Sequence, residues 1–113
     1  MNIRRSFDVK DLKHYSIVFD KSLLRIVQNL KSPDKRIKNA MIYFIKTGGK
    51  RIRPFLLHQT GTFLGIDSKP LNDFALAVEC VHLHSLIHDD LPCMDNDDFR
   101  RGKASNHIKF GEA

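Results

Sequence analysis

Ser85-Leu86-Ile87-His88-Asp89-Asp90-Leu91-Pro92-Cys93-Met94-Asp95-Asn96-Asp97-Asp98 is the stretch on which the fold turns. Five carboxylates fall within the ten residues from Asp89 to Asp98, directly after a mostly apolar helical segment. A helix C-terminus carries partial negative charge and disfavours acids, and neighbouring acids repel one another. Such a conflict is expected where function demands it, and a multivalent cation relieves it.

Upstream of the acids, Phe74, Ala75, Ala77, Val78, Val81, Leu83, Leu86 and Ile87 make a segment that is apolar on most sides. This predicts a buried central helix from about Leu71 to His88 or beyond, with its start punctuated by Ser68 and Pro70. Asp89 lies seven residues after His82, so at ~100° per residue both point from the same face. Asp95 would face elsewhere in an unbroken helix. Pro92 removes one hydrogen bond and pushes against the carbonyl of His88, so a bulge or kink is expected there, and it lets Asp89 and Asp95 converge.

Further upstream, Leu12, Tyr15, Phe19, Leu23, Ile26 and Leu30 recur in steps of three or four and predict an amphipathic helix from Asp8 to Leu30. Ser32 as N-cap and Pro33 at the first helical position open a second helix, which Gly48 and Gly49 stop. Pro54 opens a third, running toward Gly65, with Gly61 inside it as a helix weakener that has no capping role. No alternating run suggests a strand. The fold class is all-α, a helical bundle or part of one, in a single incomplete domain over residues 1–113 with residues 1–7 as a flexible tail.

Composition narrows the function classes. The chain is 42% hydrophobic and 28% charged, ordinary for a globular protein, and its 19 basic against 13 acidic residues give +6, a balance that attracts phosphate-bearing partners. No zinc-finger spacing, ribonucleoprotein aromatic motif or basic heptad region accompanies that charge, so no nucleic-acid partner is expected. Cys80 and Cys93 make no disulfide framework, which fits a reducing cytoplasm. Apolar stretches are interrupted well before the ~20 residues of a membrane span. Met1 to Ser6 carries Arg4 and Arg5 but is too short for a transit peptide.

Carboxylates grouped in this way suit Mg²⁺, which keeps several waters and shares its other sites between one or two carboxylates and substrate phosphates. Arg100 and Arg101 follow the acids directly and offer planar forks for phosphate oxygens. A second basic group, Lys50, Arg51 and Arg53, follows Gly48-Gly49 and leads into the Pro54 helix start, where backbone N–H groups favour an anion. Two anion sites result, one of them bridged by metal. Against this stands the common reading of charge runs as solvated faces, and Gly-Gly-Lys-Arg lacks the Walker spacing.

Taken in order and with their spacing, Gly48 to Pro54, Glu79 to His82, Ser85 to Pro92, Met94 to Gly102 and Asn106 to Ala113 resemble the trans-isoprenyl diphosphate synthases, most closely the bacterial farnesyl diphosphate synthases. The resemblance implies the N-terminal helices of the isoprenoid synthase bundle and a Mg²⁺-dependent prenyltransferase joining isopentenyl diphosphate to an allylic diphosphate, dimethylallyl or geranyl, to give farnesyl diphosphate. It implies that Asp89 and Asp95 hold Mg²⁺ and act in catalysis, that Arg100 binds the allylic diphosphate, and that Lys50, Arg53, His82 and Arg101 bind isopentenyl diphosphate. It also implies a homodimer and a second aspartate-rich motif beyond Ala113, so that the chain reads as a fragment, inactive alone. A geranylgeranyl diphosphate synthase fragment and a noncatalytic helical remnant are the alternatives.

Individual residues carry competing readings. Cys80, His84 and His88 fall on one helical stripe that could ligate zinc, although a fourth ligand is missing and core or helix-end histidines are commoner. His58 and His107 read as surface or hydrogen-bonded residues. By the resemblance, His84, five before the first aspartate, helps set the depth of a product tunnel. Phe99, where the family often has leucine, is a conservative change.

Overall fold

The computed structural model describes residues 9–113; the expected tail and the helix start at Asp8 lie outside them. The order of elements is α1 (Val9–Gln28), α2 (Lys35–Lys46), α3 (Ile52–Phe63), α4 (Ser68–Asp90), β1 (Phe99–Arg100), β2 (Lys103–Ala104) and α5 (Asn106–Phe110). Phe19, Leu23 and Val27 of α1, Phe44 and Ile45 of α2, and Ala75 and Leu83 of α4 form the core. The buried stripe of α1 therefore runs in steps of four and ends on Val27, leaving Ile26 and Leu30 of the expected stripe exposed. Tyr15 joins the packing, stacked on Phe19 at 5.6 Å and edge-on to Phe55 at 5.4 Å.

The second helix starts later than expected. Asp34, not Ser32, is the N-cap, and its carboxylate accepts from the Arg36 N–H at 2.8 Å. An ionised carboxylate meets the positive end of the helix better than a hydroxyl does, which displaces Ser32 to a preceding turn where it accepts from the Asp34 N–H. Thr47 caps the other end, and Gly48 at φ +90° carries the chain away. Pro54 takes the third position of α3, still among the first N–H groups that have no helical partner.

Gly61 is more than a weak point in α3. A Cβ there would lie 2.0 Å from Cδ2 of the buried Leu71, so glycine is what lets α3 and α4 lie against each other. Gly61→Val is expected to lower stability by about 1–3 kcal/mol through overpacking. Thermal unfolding followed by circular dichroism reads this, and an unchanged midpoint would show that the pair of helices parts without cost.

Two expectations are corrected. Helix α4 is buried on one face, through Leu71, Ala75, Glu79, Leu83 and Asp90, while Phe74 and Val81 are 66% and 70% exposed, because the described helices pack on one side of it only. A strand pair is also present, with Phe99 opposite Ala104 and Arg100 opposite Lys103 in antiparallel register. Its turn residues, Arg101 at φ +53° and Gly102 at φ +76°, have the two positive φ values of a tight hairpin whose twist matches its strands. The hairpin and α5 lean on α2, where Tyr43 donates to the Ala104 carbonyl at 2.7 Å and meets Phe110 edge-on.

Candidate functional site

Arg51 organises one side of the site. It caps α3 in the left-handed region at φ +57° and is 2% exposed. Its Nε donates to Asp20 of α1 at 2.7 Å, its Nη1 to Glu79 of α4 at 2.9 Å and its Nη2 to the Ile45 carbonyl of α2 at 3.1 Å. One buried guanidinium thus ties three helices to the turn between α2 and α3. A cation taken out of water needs this degree of pairing.

Beside it opens a cleft of about 520 Å³ that Lys50 and Arg53 line from the turn and α3, His82 and Glu79 from α4, and Arg101 from the hairpin turn. All four residues that the resemblance assigns to isopentenyl diphosphate therefore face one space. Gly49 allows the crowding, since a Cβ there would sit 3.0 Å from Nη1 of Arg51 and 3.2 Å from the Arg101 guanidinium. The Arg101 guanidinium is pushed below its ordinary value, first by burial and then by Arg51 and Arg100, with Glu79 and Asp20 opposing. Like charges held together in this way are relieved by an anion.

Arg53 Nη1 lies 3.2 Å from His82 Nε2. The guanidinium can only donate, so Nε2 accepts and the ring is neutral with its proton on Nδ1. Burial first and Arg53 second push the His82 imidazole below its ordinary value; Glu79 opposes, and Arg101 and Arg100 add to the lowering.

On the acidic side, Pro92 stops α4 rather than kinking it. Leu91 before it is extended at φ −60° and ψ 152°, the conformation a following proline imposes. The chain then doubles back, and the Asp95 N–H donates to the Asp89 carbonyl at 2.9 Å and the Asp97 N–H to the Asp90 carbonyl at 3.1 Å. Asn96 takes φ +53° in the same turn. Asp95 is brought back beside Asp89 by this hydrogen-bonded turn.

The fate of Asp90 was not legible in the sequence. It is 1% exposed and takes a two-pronged contact from Arg100, Nε to Oδ2 at 2.6 Å and Nη2 to Oδ1 at 2.8 Å. The hydrogen bond to Asp90 raises the Arg100 guanidinium, burial opposes, and the charges of Asp90, Asp97 and Asp89 raise it further. Arg100 thus fastens β1 to the end of α4, leaving Nη1 outside the pair. Arg101, next along, turns into the cleft, so the hairpin joins the acidic turn to the basic one.

Asp89 is half-buried and Asp95 exposed, and among the described residues no side-chain hydrogen bond occupies either carboxylate. Among the described residues no three or more His, Cys, Asp or Glu side chains form a group that could hold a metal. Mg²⁺ needs no closed cage of side chains, because it takes most of its ligands from water and phosphate. Cys80, His84 and His88 are exposed on α4, with the two imidazoles stacked at 6.4 Å. His107 is buried with Nδ1 3.2 Å from the Ser105 hydroxyl, and His58 packs on Tyr15.

Residues missed by sequence reasoning are Asp20, Glu79 and Asp90. Glu79 and Asp90 stood in quoted motifs without a role, and the signal that could have found them is a carboxylate on the buried face of a helix, which demands a cation.

Comparison with known proteins finds relatives over most of this chain. The chain is 53% identical over 92 residues to the farnesyl diphosphate synthase of Geobacillus stearothermophilus, an alignment covering 81% of this chain and 31% of that one. It is 45% identical over 112 residues to the farnesyl diphosphate synthase of Buchnera aphidicola subsp. Schizaphis graminum, covering 99% of this chain and 36% of the relative. The crystal structure of a geranyltransferase from Legionella pneumophila superposes with a TM-score of 0.86 at 41% identity, covering 91% of this chain and 36% of that one. The chain thus spans about a third of the length of the relatives it matches. No described helix is long and apolar enough to cross a membrane. Residues 34–113 match the Polyprenyl synthetase family, and with these relatives the match shows that the chain belongs to that family.

Proposed function

We propose that this chain carries the diphosphate-handling segment of a prenyltransferase that condenses isopentenyl diphosphate with an allylic diphosphate to give farnesyl diphosphate. The observation that carries this is the convergence of Lys50, Arg53, His82 and Arg101 on one cleft. In this reading the cleft holds the diphosphate of isopentenyl diphosphate, and the turn from Asp89 to Asp95 faces the allylic one, with Arg100 Nη1 toward it. Asp89 and Asp95 would hold Mg²⁺, which supplies neutralisation of the charge that builds up on the departing allylic diphosphate. The chain's own residues bind and orient the two anions so that the double bond of one substrate meets the carbon left by the other. Two unpaired cysteines suit a cytoplasmic setting, and a homodimer is the expected assembly of the whole enzyme.

Titration of the chain with inorganic diphosphate tests the cleft. Arg53→Ala should weaken binding about tenfold, as loss of a charge-assisted hydrogen bond does, and added salt should weaken it further. The pH dependence has a defined sign. Burial and then Arg53 hold the His82 imidazole below its ordinary value in the free cleft; a bound anion raises it, so binding takes up a proton and strengthens as pH falls through the interval between the two. His82→Gln should remove this part of the pH profile and leave only the titration of the ligand. An unchanged profile in His82→Gln, or no effect of Arg53→Ala, would place the anion elsewhere.

A further inference from the structure

We propose that Arg51, clamped by Asp20 and Glu79, is a positioning residue for this cleft, fixing the turn so that Lys50 and Arg53 on either side of it meet the anion together. The proposal rests on the reading of the cleft as a diphosphate site. The turn that carries Lys50 follows two successive glycines with φ of +90° and +155°, backbone that does not hold its own shape. Arg51 supplies what the glycines lack. Its side chain has no solvent exposure, and its three donors reach Asp20, Glu79 and the Ile45 carbonyl on three different helices.

The backbone points the same way. Arg51 is a non-glycine residue in the left-handed region, a conformation kept only where its surroundings enforce it. Its carbonyl accepts from the Phe55 N–H at 3.2 Å, so the clamped residue is also the one that starts α3 and sets where Arg53 stands. The clamp does not serve the cleft by adding charge. One guanidinium with two carboxylates carries a formal charge of −1, which offsets the positive charge of Lys50, Arg53 and Arg101 rather than increasing it.

That sign separates positioning from simple electrostatics. Glu79→Gln and Asp20→Asn each remove a negative charge beside an anion site and, with it, the charge assistance of the hydrogen bond that holds Arg51. On charge alone, both variants would bind inorganic diphosphate more tightly than the parent chain. If the clamp positions the turn, both bind more weakly, by about ten- to a hundredfold, the scale of one lost charge-assisted contact to the anion. Arg51→Lys keeps the charge but replaces a three-way fork with a point donor, and should weaken binding as well.

The measurement is calorimetric titration of inorganic diphosphate into the chain and its variants, with helix content read by circular dichroism so that affinity is scored on folded protein. Should Glu79→Gln fail to fold, Asp20→Asn carries the test, since the Asp20 side chain is 32% exposed and its neutralisation is milder. Affinity equal to or above the parent in the folded variants overturns the clamp while leaving the cleft in place, provided Arg53→Ala still weakens binding. A parent chain that binds no diphosphate overturns both.

Discussion

Asp89→Ala is expected to lower prenyl transfer by about two to three powers of ten while leaving the fold as stable or slightly more stable. The assay is a chimera in which this chain replaces the matching segment of the Geobacillus stearothermophilus farnesyl diphosphate synthase, supplied with both diphosphates and Mg²⁺. Asp89 sits in the last turn of α4, where the helix dipole disfavours a carboxylate, and the Asp95 backbone is bonded back against its carbonyl. In the free protein the side chain is therefore a cost of about 0.3–1 kcal/mol. Removing it lifts that cost and removes the charge that would hold Mg²⁺ on the leaving group.

Opposite signs for stability and rate mark a residue kept for chemistry. Asp95→Ala should follow in rate. The exposed Asp95 lies beyond the helix, so its effect on stability should be smaller. Near-normal turnover in Asp89→Ala would remove it from the catalytic machinery, and a large loss of stability would mean that it serves the fold instead.

Local signals made the helices legible. Apolar steps of three and four and the punctuation by Pro33, Gly48, Gly49, Pro54 and Gly65 located α1 to α4, because each depends on neighbours a few residues away, although α2 starts at Lys35, after Pro33, and α3 at Ile52, before Pro54. The hairpin was not legible, since two-residue strands are too short to show alternation. Only Arg101-Gly102 carried a turn signal. Pro92 was visible, but whether an interior proline kinks a helix or ends it depends on what the following residues can bond to, and here their N–H groups return to Asp89, Asp90 and Leu91.

The candidate site divides in the same way. Lys50, Arg53, His82 and Arg101 were named because they stand in motifs of the family, and a motif is a local string. What holds them is not local. Arg51 meets Asp20 across 31 residues and Glu79 across 28, pairings that no periodicity reveals. A basic cluster on a sequence looks uniform, whereas in the fold Arg51 is buried and neutralised while Arg53 and Arg101 are left facing the cleft. The distinction is one of desolvation, and it exists only after packing.

The ion pair between the acidic turn and the hairpin yields the largest expected loss of stability. Arg100→Leu removes both donors that the carboxylate of Asp90 accepts from, and Asp90 is 1% exposed. A buried carboxylate without its partner should cost about 3 kcal/mol, toward the low end for a broken buried pair because the Arg100 side chain keeps 24% of its surface in water. Asp90→Leu should cost less, since the guanidinium left behind can swing into solvent. The double variant should be more stable than Arg100→Leu alone, because two apolar side chains leave no charge without a partner. Chemical denaturation of the parent, the two single variants and the double variant closes the cycle. Strict additivity would mean that the two side chains do not act as a pair. If they do, the cycle also reports on the site, because β1 carries Arg100 immediately before Arg101: loosening the pair should weaken binding of inorganic diphosphate in the cleft even though neither Asp90 nor Arg100 lines it.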